Sequence, residues 1–128
     1  MDTRFKPSGY NSLSPYIISS DAVKLAALVS KIFDASIERQ FDLPNGKIMH
    51  AEIKLDDSIL MIADANENYP PNQSILHVYV KNAGQTFDLA IGLGCTIVEA
   101  INRREGDPDI RGTFKDFDGN MWSVGTQQ

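Results

Sequence analysis

The residues able to move protons are few, and their spacing narrows what they can do. The chain has two histidines. His50 lies two residues before Glu52 in a segment, Lys47 to Leu55, that alternates apolar and polar residues. Side chains two apart on a strand project to one face, so the imidazole and carboxylate could form a carboxylate-supported general base. Lys54 shares that face, which equally fits a polar strand surface meeting solvent or a second chain. His77 and Tyr79 share a face opposite Leu76, Val78 and Val80, and so point away from the apolar side that a helix would cover. There His77 would hydrogen-bond a ligand, serve as acid or base, or be a satisfied inward histidine. Tyr16 and Trp122 offer flat apolar area with one polar handle, the lining of a small-molecule pocket or part of a core. Arg111 sits among Asp107, Asp109 and Asp116 and is read as an ion-pair partner. Cys95 follows Gly94 with no adjacent His or Lys to activate it, and reads as a small buried apolar residue.

The elements that must position these groups occur twice. Ser12 to Ser19 reads as a strand, and Asp21 can cap a helix whose stripe is Leu25, Leu28, Val29, Ile32 and Phe33. Three extended segments follow, Ser36 to Phe41, Lys47 to Leu55 with Met49, Ala51, Ile53 and Leu55 on one face, and Ser58 to Ala63. The polar connection from Asp64 to Ser74 leads to a second strand, Ser74 to Val80, and a helix capped by Asn82 and stopped by Gly94. Segments Cys95 to Ile101, Ile110 to Asp116 and Met121 to Thr126 complete the second set. Asp21 with Asn82, Phe33 with Gly94 and Asp57 with Asp118 are each separated by about 61 residues, the sign of a duplicated βαβββ unit. The first module is assigned to 9–65 and the second to 74–126, within a single domain spanning 1–128.

Composition sets limits on function. Twelve basic residues against seventeen acidic ones, a net charge of −5, exclude a generic polyanion binder, because nucleic-acid binding needs a concentrated positive field. One cysteine cannot form an intrachain disulfide and lacks companions for a structural zinc site, which suits a reducing cytoplasm. The stretch from Met1 to Tyr10 has no apolar run of signal-peptide length, and no later segment is long enough to span a bilayer. A soluble, cytoplasmic protein without membrane or nucleic-acid partners is the expectation.

The segments GYNSLSPYIISSDA, PNGKIMHAEIKLDDSILMIAD, LHVYVKN and RGTFKDFDGNMWSV resemble the vicinal-oxygen-chelate superfamily, which includes glyoxalase I, bleomycin-resistance proteins and extradiol dioxygenases. Most specific are the HAE-x-x-x-x-D-S run from His50 to Ser58 and the D-x-x-G-x-x-W run ending at Trp122, which resemble the PhnB-like branch. The resemblance implies an α+β fold in which two βαβββ modules form one curled eight-stranded mixed sheet, helices outside, with a concave face holding the ligand. It also implies a homodimer, and in many such proteins each cavity draws on both chains.

Metal-dependent members hold a divalent ion with His, Gln or Glu side chains from the first and last strands of the two modules. Those positions fall here at Ser14, Met61, Ile75 and Ser123, a poor set for a dication. No cofactor is therefore expected; a divalent metal is the alternative, with His77 on the face of Ile75 restoring one ligand. The implied function is binding of a small molecule by Tyr16, Met61, Tyr79, Trp122 and Ser123. The alternative is a glyoxalase-like lyase or isomerase using a metal or a base drawn from His50, Glu52 and His77.

Overall fold

Both helices begin where the sequence supplies a capping side chain. In the computed structural model, which describes residues 4–128, Asp21 accepts a hydrogen bond from the Lys24 N–H at the start of α1 (Ala22–Phe33). Asn82 accepts one from the Gln85 N–H at the start of α2 (Ala83–Gly92). Asp34 closes α1 in the left-handed conformation, at φ 50°, a conformation that Asp tolerates better than most residues.

One compact unit ends at Asn72 and the other begins at Gln73. In the first, β1 (Tyr16–Ser19), β2 (Ser36–Asp42), β3 (Ile48–Leu55) and β4 (Ser58–Asp64) form a four-stranded sheet of order β1-β4-β3-β2. In the second, β5 (Ile75–Tyr79), β6 (Thr96–Asn102), β7 (Asp109–Lys115) and β8 (Met121–Gln127) repeat the order as β5-β8-β7-β6. The first and last strands of each module pair in parallel and the remaining pairs are antiparallel. The βαβββ unit thus occurs twice with mixed strand order.

The eight strands do not join into one curled sheet, as the resemblance implied; they form two separate four-stranded sheets. The outer edge of β1 shows a physical reason. Asn72 donates its backbone N–H to the Ile18 carbonyl, accepts the Ile18 N–H on Oδ1 and donates Nδ2 to the Tyr16 carbonyl. This one residue occupies the edge groups that another strand would need, and Pro70 and Pro71 just before it have no N–H to extend a ladder.

Two local expectations also change. The first strand starts at Tyr16 rather than Ser12, because Pro15 cannot donate to the ladder; its carbonyl accepts the Met61 N–H instead. The strict alternation of β3 fails at its start, where Phe41 pairs with His50 but Asp42 pairs with Ile48, leaving Met49 as an extra residue. The bulge exposes Met49 and buries Ile48.

Each sheet buries one face under its helix. In the first module Ile17, Ala51, Ile53 and Ile62 are buried together with Leu25, Ala26, Val29 and Ile32 of α1. In the second, Phe87 of α2 meets Phe114 edge-on at 6.3 Å between centroids. Gly112 makes this approach possible: a Cβ there would lie 2.9 Å from Ile101 Cδ1, 3.1 Å from Phe87 Cδ2 and 3.2 Å from the Glu99 carbonyl. Gly112→Ala is expected to cost about 1–3 kcal/mol by overpacking, read as a lower urea midpoint; an unchanged midpoint would mean that the neighbours yield freely. Among the described residues no helix is long and apolar enough to cross a membrane.

Candidate functional site

The register of the first sheet brings Tyr16 opposite Met61, Met61 opposite Glu52, and His50 opposite Phe41. These side chains share the face away from α1. Tyr16 Oη lies 2.8 Å from His50 Nδ1, and His50 Nε2 lies 2.9 Å from Glu52 Oε2. The other carboxylate oxygen accepts the Tyr10 hydroxyl at 2.6 Å and has Arg39 Nε at 3.6 Å. Arg39 lies over the Tyr10 ring, 5.4 Å from its centroid. Phe41 stacks beside the imidazole. Phenol, imidazole and carboxylate form one hydrogen-bonded chain.

Donor and acceptor chemistry orders the protons along this chain. Burial pushes the Glu52 carboxyl upward, but hydrogen bonds from Tyr10 and His50, with the nearby Arg39 charge, outweigh it and hold the group below the ordinary carboxylate value. An ionised Glu52 can only accept, so neutral His50 carries its proton on Nε2 and Nδ1 accepts from Tyr16. Burial, with the neighbouring Tyr69 and Glu52, raises the Tyr16 phenol, which keeps its proton at neutral pH.

Tyr16 also forms part of the wall of a cleft of about 770 Å³ in the first module. Its apolar surface comes from Ile18, Leu43, Ile48, Met49 and Ala63; Tyr69 and Lys47 add an aromatic ring and a cation. Asp64 ties the cleft to the fold, accepting the Ala22 N–H on one oxygen and the Ile48 N–H on the other. Asn66 shapes the loop that presents Tyr69, its Oδ1 accepting the N–H groups of Asn68 and Tyr69.

The helix-free face of the second sheet carries a different set. His77 Nδ1 lies 2.9 Å from Ser123 Oγ, directly across the β5–β8 register. The imidazole packs edge-on against Tyr79 and over Gly125, where a Cβ would come within 3.1 Å of it. Tyr79 donates to Asp109 at 2.8 Å, and that hydrogen bond raises its phenol above the ordinary value. Arg111 pairs with Asp107 at 2.6 Å. Gly125→Ala is expected to displace the His77 ring and break its bond to Ser123, visible as altered His77 ring-proton shifts; unaltered shifts would show that the ring does not depend on this glycine.

Of the residues singled out in the sequence, Tyr16, His50, Glu52 and Met61 share one face of the first sheet, and His77, Tyr79 and Ser123 share one face of the second. Trp122 stands apart: it is 2% exposed and donates Nε1 to Asp116. Cys95 is buried, which pushes its thiol up to about 11. Tyr10, Arg39 and Tyr69 escaped the sequence reading because they lie in segments without periodic pattern or on an edge strand, and Lys47 because alternation along its own strand does not tie it to a cleft. A lone aromatic in the polar 64–74 connection was the available signal for Tyr69.

For a metal, the strand register shows which side chains stand opposite each other within each module. It opposes Tyr16 to Met61 and His77 to Ser123, while Ser14 precedes β1 and Ile75 opposes Met121. Within the first module the opposed pair is phenol and thioether, and within the second it is imidazole and hydroxyl; neither pair is the carboxylate and imidazole set that suits a divalent ion. Among the described residues no group of three or more His, Cys, Asp or Glu could hold a metal ion.

No family model matches the sequence. The chain is 26% identical over 125 residues to an uncharacterised protein of Mycobacterium bovis, covering 89% of this chain and 82% of that one. A similar protein of Mycobacterium tuberculosis is matched at the same identity over 73% of its length. Among solved structures, TioX from Micromonospora superposes with a TM-score of 0.78 at 15% identity, covering 92% of this chain and 99% of that one. Glyoxalase I from Zea mays gives 0.71 at 14% identity, over 91% of this chain and 44% of that one. The fosfomycin-resistance protein FosX of Listeria monocytogenes gives 0.68 at 13% identity, over 92% and 93%. The fold of this chain is therefore that of the vicinal-oxygen-chelate superfamily in general.

Proposed function

We propose that the protein binds a small, largely apolar molecule in the cleft of its first module, without a metal. The observation that carries this reading is the cleft itself, of about 770 Å³ with aliphatic walls, two tyrosines and one lysine. Its volume suits a ligand of drug-like size, and the few polar groups would fix orientation. Lys47 favours an anionic or carbonyl-bearing group. The His50 to Ser58 and Asp116 to Trp122 runs support a place in the PhnB-like branch.

We read the protein as a homodimer as well, since β2 is exposed along its whole length and carries Ile37 and Phe41. Sedimentation should then show mass rising with protein concentration; monomer throughout the micromolar range would remove this part. The single buried cysteine suits a cytoplasmic setting.

A thermal-shift screen of apolar aromatic compounds tests the binding reading. Compounds that raise the melting point should lose that effect in Ala65→Phe, which fills the cleft from its wall. Binding unaffected by Ala65→Phe and by Met49→Ala would place the ligand elsewhere and overturn the assignment. A second reading, as an enzyme, is favoured by the hydrogen-bonded chain from Tyr16 to Glu52.

A further inference from the structure

We propose that Tyr16 is a general base facing the cleft, with His50 and Glu52 acting through it, and that the cleft takes an apolar, carbonyl-bearing carbon acid whose anion Lys47 stabilises. The inference rests on the reading that this cleft binds small molecules. It adds to that reading a reaction and a substrate class.

The geometry supplies a directed path for one proton. Tyr16 Oη is 2.8 Å from His50 Nδ1, and His50 Nε2 is 2.9 Å from Glu52 Oε2. With its own proton committed to the imidazole, the phenol presents free lone pairs and can accept from a ligand. When a substrate C–H bond breaks, its proton passes to Tyr16 Oη while the phenolic proton passes to His50 Nδ1. The imidazolium then donates through both nitrogens, to Tyr16 and to Glu52, and the electron pair of the broken bond stays on the substrate as an enolate. No oxidant or further reactant enters. The proton leaves when His50 returns it to solvent or to the enolate.

The surroundings agree with this assignment. His50 meets Tyr16 from β1, Glu52 on its own strand and Phe41 from β2, while Arg39 and Tyr10 hold the far side of the carboxylate. That arrangement keeps Glu52 ionised and oriented, the part a third member plays in a nucleophile–base–carboxylate triad. Lys47 lines the same cleft as Tyr16, so a carbonyl oxygen gaining charge there has a cation available.

Exchange of the benzylic C–H of β-tetralone in heavy water, followed by proton NMR, tests the relay. The wild-type chain should accelerate exchange about 100-fold or more over buffer, the usual range for a positioned base. Tyr16→Phe should return the rate to background even at β-tetralone concentrations that saturate the cleft. His50→Gln, which removes the acceptor of the phenolic proton, should likewise return exchange to background with β-tetralone affinity retained, a loss of rate without a loss of binding that a merely structural role would not produce. Bound β-tetralone with no acceleration overturns the relay and leaves the cleft reading standing. Failure to bind overturns the cleft reading, and the relay falls with it. Imidazole nitrogen NMR of the free protein gives a test independent of any ligand: His50 protonated on Nε2 is expected, and the Nδ1-protonated tautomer overturns the proposal.

Discussion

Asp116→Ala should lower the stability of the second module by about 4 kcal/mol, a large share of the roughly 5–15 kcal/mol that holds an ordinary domain folded. Asp116 is 5% exposed and closes the turn between β7 and β8. One oxygen accepts the backbone N–H groups of Asp118 and Asn120 at 2.9 and 3.0 Å. The other accepts Asn120 Nδ2 at 3.0 Å and Trp122 Nε1 at 2.9 Å. Removing the carboxylate strands several buried donors at once, and each unsatisfied group costs about 1–3 kcal/mol. Asp116→Asn retains one acceptor and should cost roughly half as much. Urea unfolding followed by the fluorescence of Trp122, whose indole is bound to Asp116, measures both. A loss below about 1 kcal/mol in the alanine variant would show that water replaces the carboxylate at little cost. The Asp116 to Trp122 run that marks the resemblance thus has a structural explanation: it builds a turn.

Glu52→Ala should destabilise the first module by about 2–4 kcal/mol, since it removes the acceptor for Tyr10 and His50 and leaves their polar groups part-buried. The same residue sets a pH dependence. Its folded carboxyl lies below the ordinary value, so the folded state holds the ionised form more strongly than the unfolded chain does. The stabilisation is complete above the ordinary carboxylate range and is lost as pH falls through the lower, folded value. Wild type should therefore lose stability on acidification by a component that Glu52→Gln lacks. Parallel urea titrations of the two proteins at neutral and acid pH measure the difference; identical slopes of stability against pH would contradict it.

Much of the fold was legible because it is encoded locally. Asp21 and Asn82 announce helix starts through side chains that can reach a backbone N–H three residues on, and the structure uses both in that way. The repeated βαβββ order follows from two copies of the same apolar pattern. The separation of the sheets was not legible, because it depends on what occupies the edge of β1, and the occupant, Asn72, lies 54 residues from Ile18. The bulge at Met49 escaped for a similar reason: alternation in one strand carries no information about its partner's register.

The candidate site divides along the same line. His50 and Glu52 could be paired from their spacing, since two residues on one strand face need no tertiary knowledge. Tyr16, 34 residues before His50, joins them only through the β1–β4–β3 order. The cleft draws on the 43–47 turn and the 65–72 connection, which local patterning does not tie to β1, so Lys47, Tyr69 and Asn72 could not be assigned to it beforehand.

Methyl NMR of Ile- and Met-labelled protein during a β-tetralone titration puts the binding cleft to the most direct test. Saturable shifts confined to Ile18, Ile48 and Met49 are expected. Saturable shifts that spare these three methyls, while others move, would contradict the account.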